Sequence, residues 1–182
     1  MIDLDCSSSL ILLLPKLSSD LKSLSIFALM IEIYTDGASS GNPGPGGYGA
    51  ILRKGEHYKE LTEGFRKTTN NRMELLAVIV ALEAIKSPNQ QVIVYSDSKY
   101  VIDTVDKGWL FGWLKTDFKG KKNKDLWLRF YTVYKKHTVK FQWVKGHAGH
   151  PENERCDDLA VLSSKNRLNW KVDRYFEEQE IK

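Results

Sequence analysis

The stretch "EIYTDGASSGNPGPGGYGAILR", residues 32–53, opens as an alternating apolar strand and breaks into glycine and proline directly after an acid, Asp36. Residues 31–36 alternate with the two-residue period of a strand. The residues that follow read as neither helix nor regular sheet. Gly44-x-Gly46-x-x-Gly49 matches the glycine pattern of dinucleotide-binding loops, in which backbone amides at a helix start cradle a pyrophosphate. That mechanism needs a helix next, and Tyr48-Gly49-Ala50-Ile51-Leu52 behind Pro43 and Pro45 instead reads as a hairpin entering a second strand. Taken alone, Asp36 could be a turn residue, a common role for aspartate.

Working outward, 47–54 and 57–66 read as two further strands joined by a Lys54-Gly55-Glu56 turn. From Asn71 to Lys86, apolar residues cover nearly the whole helical circumference (Leu75, Leu76, Val78, Ile79, Val80, Leu82, Ile85), which marks a buried helix. Ser87-Pro88-Asn89 ends it. A strand over 91–97, a helix over 98–106, a Trp/Lys-rich connection, a helix near 123–136, a strand over 138–144 and a helix near 152–165 complete the pattern. Three strands, then helices alternating with strands, imply a mixed sheet covered by helices.

The chain of 182 residues suits one domain and carries a net charge of +4. The basic excess is local: between Lys99 and Lys145 stand twelve Lys/Arg against four acids. Such a concentration suits a polyanion-binding face, although a solvated lysine-rich surface is the plainer reading. Cys6 and Cys156 form no spaced pair, so neither a disulfide framework nor a zinc site is indicated, and a reducing, cytoplasmic setting is the default. Residues 1–29 look foreign to the rest. Their apolar run Leu10–Leu14 is too short to span a bilayer, and Asp3 and Asp5 stand where a secretory signal would be positive. They read as a disordered appendage or as a mis-assigned start ahead of Met30.

Four acids carry the chemistry. Asp36 and Asp97 each end a strand, and a helical crossover lets these strands lie parallel and adjacent, with the carboxylates roughly 5 Å apart at one sheet end. Two anions so close repel, and a divalent cation is the usual remedy. Glu74 lies in the first turn of the buried helix, where Asn71-Arg72-Met73-Glu74 also resembles a capping box. Asp157 borders the apolar face formed by Cys156, Leu159 and Ala160, and alone reads as a solvated acid. Beside a basic surface, the four together suggest metal-assisted phosphoryl chemistry, in which paired cations hold attacking and leaving oxygens in line. No nucleophile elbow or Cys–His pairing competes. Pattern alone reaches a divalent-metal nuclease or related phosphotransferase.

Four longer motifs narrow this. "YTDGASSGNPGPGGYGAIL" (34–52), "TTNNRMEL" (68–75), "YSDSKYV" (95–101) and "WVKGHAGHPENERCDDLA" (143–160) closely resemble bacterial ribonuclease HI, the type 1 ribonuclease H family. The likeness runs from Met30 to about Lys165 in family order. It implies an α/β ribonuclease H-like fold: a five-stranded mixed sheet, three antiparallel N-terminal strands followed by parallel ones, flanked by helices. It also implies an endoribonuclease that hydrolyses the RNA strand of RNA/DNA hybrids by a two-metal-ion mechanism, with Mg²⁺ (Mn²⁺ as the substitute), leaving 3′-hydroxyl and 5′-phosphate ends. By the same resemblance Asp36 bridges two ions, Glu74 and Asp97 complete one site, Asp157 serves the other, and His147 is a mobile histidine for proton transfer or product departure. Carried over as hybrid contacts are Ser39, Asn42, Asn70 and Asn71 in the minor groove, with Thr69 in a DNA-phosphate pocket. Trp109, Trp113, Lys115, Lys119, Lys121, Lys122 and Lys124 correspond to the family's basic protrusion. The implied protein is a monomer with no membrane and no obligate protein partner.

Three departures stand out. The protrusion is a few residues shorter than in the best-known bacterial members, Lys99 replaces an expected glutamine at a minor-groove contact, and residues 1–29 and 167–182 match nothing in the family. The implied organisation is an appendage (1–29), a catalytic domain (30–166) and a C-terminal tail (167–182). The competing readings are a non-catalytic hybrid-binding module, which would be expected to have lost an acid, and an integrase- or resolvase-like nuclease, which would lack "TTNNRMEL".

Overall fold

The computed structural model describes residues 30–180. Strands β1 (Ile31–Ser39), β2 (Gly44–Lys54), β3 (His57–Thr68), β4 (Gln91–Ser96) and β5 (Thr138–Trp143) form one sheet in the order β3-β2-β1-β4-β5. The first three are antiparallel neighbours, whereas β4 runs parallel to both β1 and β5. The helices are α1 (Asn70–Glu83), α2 (Lys99–Asp106), α3 (Trp109–Lys115), α4 (Lys124–Tyr134), α5 (Pro151–Lys165) and α6 (Arg174–Glu180), with a 3₁₀ turn at Arg167–Asn169. This is the five-stranded mixed sheet that the ribonuclease H resemblance implies. Residues 1–29, read as an appendage, lie outside the described residues. Among the described residues no helix is long and apolar enough to cross a membrane.

The glycine-rich stretch corrects one expectation. β1 continues past Asp36 to Ser39 and β2 already begins at Gly44, so only 40–43 lie outside the sheet, closed by a Ser40 N–H to Pro45 carbonyl bond of 2.7 Å. Side chains alternate between the faces of a strand. Position 46 therefore faces Met73 of α1, and positions 47 and 49 face α5. A Cβ at Gly49 would run into the Cys156 carbonyl. The missing side chains serve close approach of helices to the sheet as well as the turn.

Helix α1 packs between the sheet and α4. Every residue from Arg72 to Ile79 is buried, as its all-round apolar pattern requires. Each large aliphatic side chain removed from water contributes roughly 1.5–3 kcal/mol. From α4, the fully buried Trp127 and Phe130 meet edge to face at 5.5 Å, and the Trp127 indole N–H donates to the Tyr100 hydroxyl at 2.8 Å.

Arg72 and Glu74 are the buried charged residues of this apolar helix, and Arg72 explains the C-terminal segment. Its guanidinium donates to Asp173 at 2.6 and 2.7 Å and to Asp125 at 2.9 and 2.7 Å. The rings of Tyr175 and Phe176 lie 5.6 and 5.8 Å from it. Asp173, itself buried, also accepts from the Thr68 hydroxyl at 2.8 Å. Lys171 exchanges backbone hydrogen bonds with Gly64 and Arg66 of β3. Residues beyond 166, for which the family pattern offers no place, thus clamp the start of α1.

Candidate active site

Parallel pairing of β1 with β4 aligns Thr35 with Ser96, so Asp36 and Asp97 leave the same end of the sheet on neighbouring strands. Helix α1 begins beside them because β1 has a glycine next. A Cβ on Gly37 would meet the Glu74 amide nitrogen and come within 2.6 Å of the Met73 carbonyl carbon. This contact brings Glu74 to the two aspartates. Asp36, Glu74 and Asp97 each offer an oxygen within 4.8 Å of the others.

The three carboxylates are poorly compensated. Asp36 accepts one bond, from the Gly37 N–H at 2.6 Å, and Glu74 one at 3.3 Å from the Asn70 amide. Glu74 Oε2 and Asp97 Oδ1 are buried without a hydrogen-bond partner. Desolvation first, then the Asp97 charge, push Asp36 up to about 7, with the Gly37 amide opposing and Asp157 adding. Burial, followed by the charges of Asp36 and Asp97, pushes Glu74 well above the usual carboxylate range. Asp97 is raised by burial, against a backbone hydrogen bond and the nearby His147. Buried, orphaned oxygens in a convergent triad suit a divalent cation with hard oxygen ligands. The donor set fits.

Asp157 stands beside this triad and not within it. On α5, its side chain is one-third exposed, and its Oδ2 lies 4.0 Å from His147 Nδ1. His147 is largely exposed, at positive φ, between Gly146 and Gly149 in the β5–α5 connection. A Cβ at Gly146 would crowd Asp97 Oδ2 at 2.5 Å, so this connection passes directly over the acids. The capping-box reading of Glu74 fails: α1 starts one residue earlier, and its N-cap, Thr69, makes no side-chain cap bond.

Around the acids, the Asn70 N–H donates to Asn42 Oδ1 at 3.3 Å, which ties the glycine-rich turn to the head of α1. Ser39 hydrogen-bonds to the Gly41 carbonyl at 2.7 Å, and Asn71 and Lys99 are exposed. In the protrusion, Trp113 packs on Trp127 and Phe118, whereas Trp109 is 47% exposed under Lys107. Of the two tryptophans, Trp113 is therefore the one that anchors the segment. Lys115, Lys119 and Lys122 are exposed, Lys121 covers the Trp113 ring at 5.2 Å, and Lys124 is bound to both oxygens of Asp117 at 2.7 Å. Lys124 forms a surface ion pair with Asp117. Sequence reading missed Arg72, although a cation inside an apolar helix signals a buried carboxylate partner.

Residues 29–165 match the RNase H family model. The chain belongs to the ribonuclease H family. It is 55% identical over 140 residues to the ribonuclease H of Desulforamulus reducens, covering 74% of this chain and 87% of that one. Among solved structures, LC9-RNase H1, a type 1 RNase H with the type 2 active-site motif, superposes with a TM-score of 0.68 at 31% identity, covering 84% of this chain and 81% of that one. LC11-RNase H1 in complex with RNA/DNA hybrid shares the fold, with a TM-score of 0.58 at 24% identity over 76% of this chain and 99% of that one. This ribonuclease H is a hydrolase of a metal-dependent family, and its buried acidic triad accords with that dependence.

Proposed function

We propose that this ribonuclease H cleaves the RNA strand of RNA/DNA hybrids endonucleolytically, leaving 3′-hydroxyl and 5′-phosphate ends. The observation that carries this reading is the convergence of Asp36, Glu74 and Asp97 within 4.8 Å, with buried oxygens lacking partners. Two Mg²⁺ ions, or Mn²⁺ in their place, would be held by Asp36 together with Glu74 and Asp97 on one side and Asp157 on the other. When bound, such cations activate a water nucleophile and neutralise charge developing on the phosphate oxygens.

The chain's own groups do the rest. His147, on its glycine-flanked loop, exchanges a proton near the leaving oxygen, steadied by Asp157 at 4.0 Å. Ser39, Asn42, Asn70, Asn71 and Lys99 face the minor groove, where the 2′-hydroxyl distinguishes RNA from DNA. Thr69 receives a DNA phosphate. Trp109, Trp113 and the lysines 115, 119, 121, 122 and 124 form the protrusion that tracks the DNA strand. The catalytic unit is 30–166 with the docked C-terminal segment, acting as a cytoplasmic monomer without a membrane or obligate protein partner.

The test is incubation with labelled RNA/DNA hybrid, double-stranded RNA and double-stranded DNA, each with Mg²⁺ and with chelator. Cleavage of the hybrid's RNA strand alone, abolished by chelator, is expected. Equal cutting of double-stranded DNA, or full activity in chelator, would refute the proposal.

A further inference from the structure

Trp143 is a large aromatic residue left 46% exposed at the end of β5, and its side chain meets Asp97 and Lys99, the first residue of α2. Its register partner is Ser96, the residue before Asp97, and the ladder continues through a Val144 N–H bond to the Ser96 carbonyl at 3.0 Å. The indole Nε1 donates to the backbone carbonyl of Asp97 at 3.2 Å. Lys99 Nζ lies 5.6 Å from the centre of the same ring. One side chain thus touches the peptide of a triad acid and the ammonium of a residue facing the substrate groove.

Asp97 itself lies just past β4, in the turn before α2. Ser98 closes part of this turn, donating its N–H to Ser96 Oγ at 3.2 Å and capping α2 through Val101 at 3.4 Å. The Asp97 carbonyl receives the indole instead. The peptide plane on which the Asp97 carboxylate is mounted is therefore fixed from the neighbouring strand. Groups that orient ligating carboxylates commonly change metal affinity or activity by about 10–100-fold. On the Lys99 side, a cation over an exposed indole biases a flexible ammonium toward one placement.

Resting on the two-cation hybrid nuclease reading above, we propose that Trp143 is a positioning residue that sets both the aim of the Asp97 carboxylate and the placement of Lys99 against the hybrid. The two contacts use different parts of the side chain, so substitutions separate them. Trp143→Phe keeps a ring for Lys99 and removes the N–H donor; Trp143→Leu removes both.

The measurements are calorimetric Mg²⁺ titration of the substrate-free protein and hybrid affinity in chelator by fluorescence anisotropy, with a thermal melt for each variant. Trp143→Phe is expected to bind Mg²⁺ about tenfold more weakly with hybrid affinity in chelator unchanged. Trp143→Leu is expected to lose Mg²⁺ affinity to a similar extent and hybrid affinity by roughly 2–5-fold. A merely structural role would move both readouts together in the Phe variant, in step with its melting temperature, and would overturn the proposal. So would Mg²⁺ affinity within twofold of wild type in Trp143→Phe, whether or not the Leu variant folds. Equal hybrid affinity for a folded Leu variant and wild type would remove the Lys99 half. If wild type bound Mg²⁺ but cleaved no hybrid, the nuclease reading would fail while the Mg²⁺ comparison still judged the Asp97 contact.

Discussion

Asp36→Asn is expected to stabilise the metal-free protein at pH 8 and to leave it nearly unchanged at pH 4. Burial and the neighbouring Asp97 and Asp157 hold the Asp36 carboxyl at about 7, against an ordinary 3.8. The folded state therefore keeps this proton where the unfolded chain has released it. Stability falls as pH rises from about 4, and the full cost is present once pH exceeds about 7. At about 1.4 kcal/mol for each pH unit, the interval from 3.8 to about 7 is worth about 4 kcal/mol. Asparagine keeps the volume and an oxygen for the Gly37 N–H, but brings no charge to bury or to repel its neighbours. Local relaxation lowers the gain to about 2–3 kcal/mol, and about 2–4 °C per kcal/mol for a domain of this size gives a rise of roughly 5–10 °C. Thermal unfolding followed by circular dichroism in EDTA, from pH 4 to pH 9, reads it directly. Added Mg²⁺ should narrow the gap by stabilising the wild type through mass action. Hybrid cleavage should fall by at least about 100-fold, the usual cost of one essential electrostatic contact. An unchanged melting temperature at pH 8, or the same gain at every pH, would refute the reasoning.

Arg72→Ala leaves Asp173 buried without its cation and should cost about 3–5 kcal/mol in urea unfolding; a loss below about 1 kcal/mol would show that the pair is effectively solvated. Gly37→Ala forces α1 away from β1, and should lower stability by about 1–3 kcal/mol while weakening Mg²⁺ binding in calorimetry. Tight Mg²⁺ binding by that variant would mean Glu74 does not depend on this close approach. Replacing Lys119 and Lys122 by alanine should weaken hybrid binding and flatten its log–log salt dependence by roughly 0.7–0.9 for each phosphate no longer neutralised, whereas an unchanged slope would leave these lysines as plain surface charges.

The elements were legible because alternation and all-round apolarity are local patterns: β1, β4 and α1 each declare themselves from their own residues. Asp36 and Asp97 could be paired from strand ends alone, since parallel neighbours joined by a helical crossover share a carboxyl edge. Glu74 could not, because its place depends on Gly37 having no Cβ, a fact about two segments in contact. Nor could Lys124 be told from Lys122, since only the fold brings Asp117 back onto one of them. The segment around Asp173 was opaque for the same reason. Its meaning lies in a buried arginine a hundred residues earlier in the chain.

That long return has a consequence for synthesis. A nascent chain leaves the ribosome from its N-terminal end, so Asp36, Glu74, Asp97 and Asp157 have all emerged before Asp173 does. Until then Arg72 has only Asp125 and Asn123 to donate to, and β3 lacks its backbone pairing with Lys171. An incomplete polypeptide would thus carry every acid of the site without the clamp that seats one of them. Synthesis order alone therefore makes the Asp173 clamp the last of these contacts that the emerging chain can make.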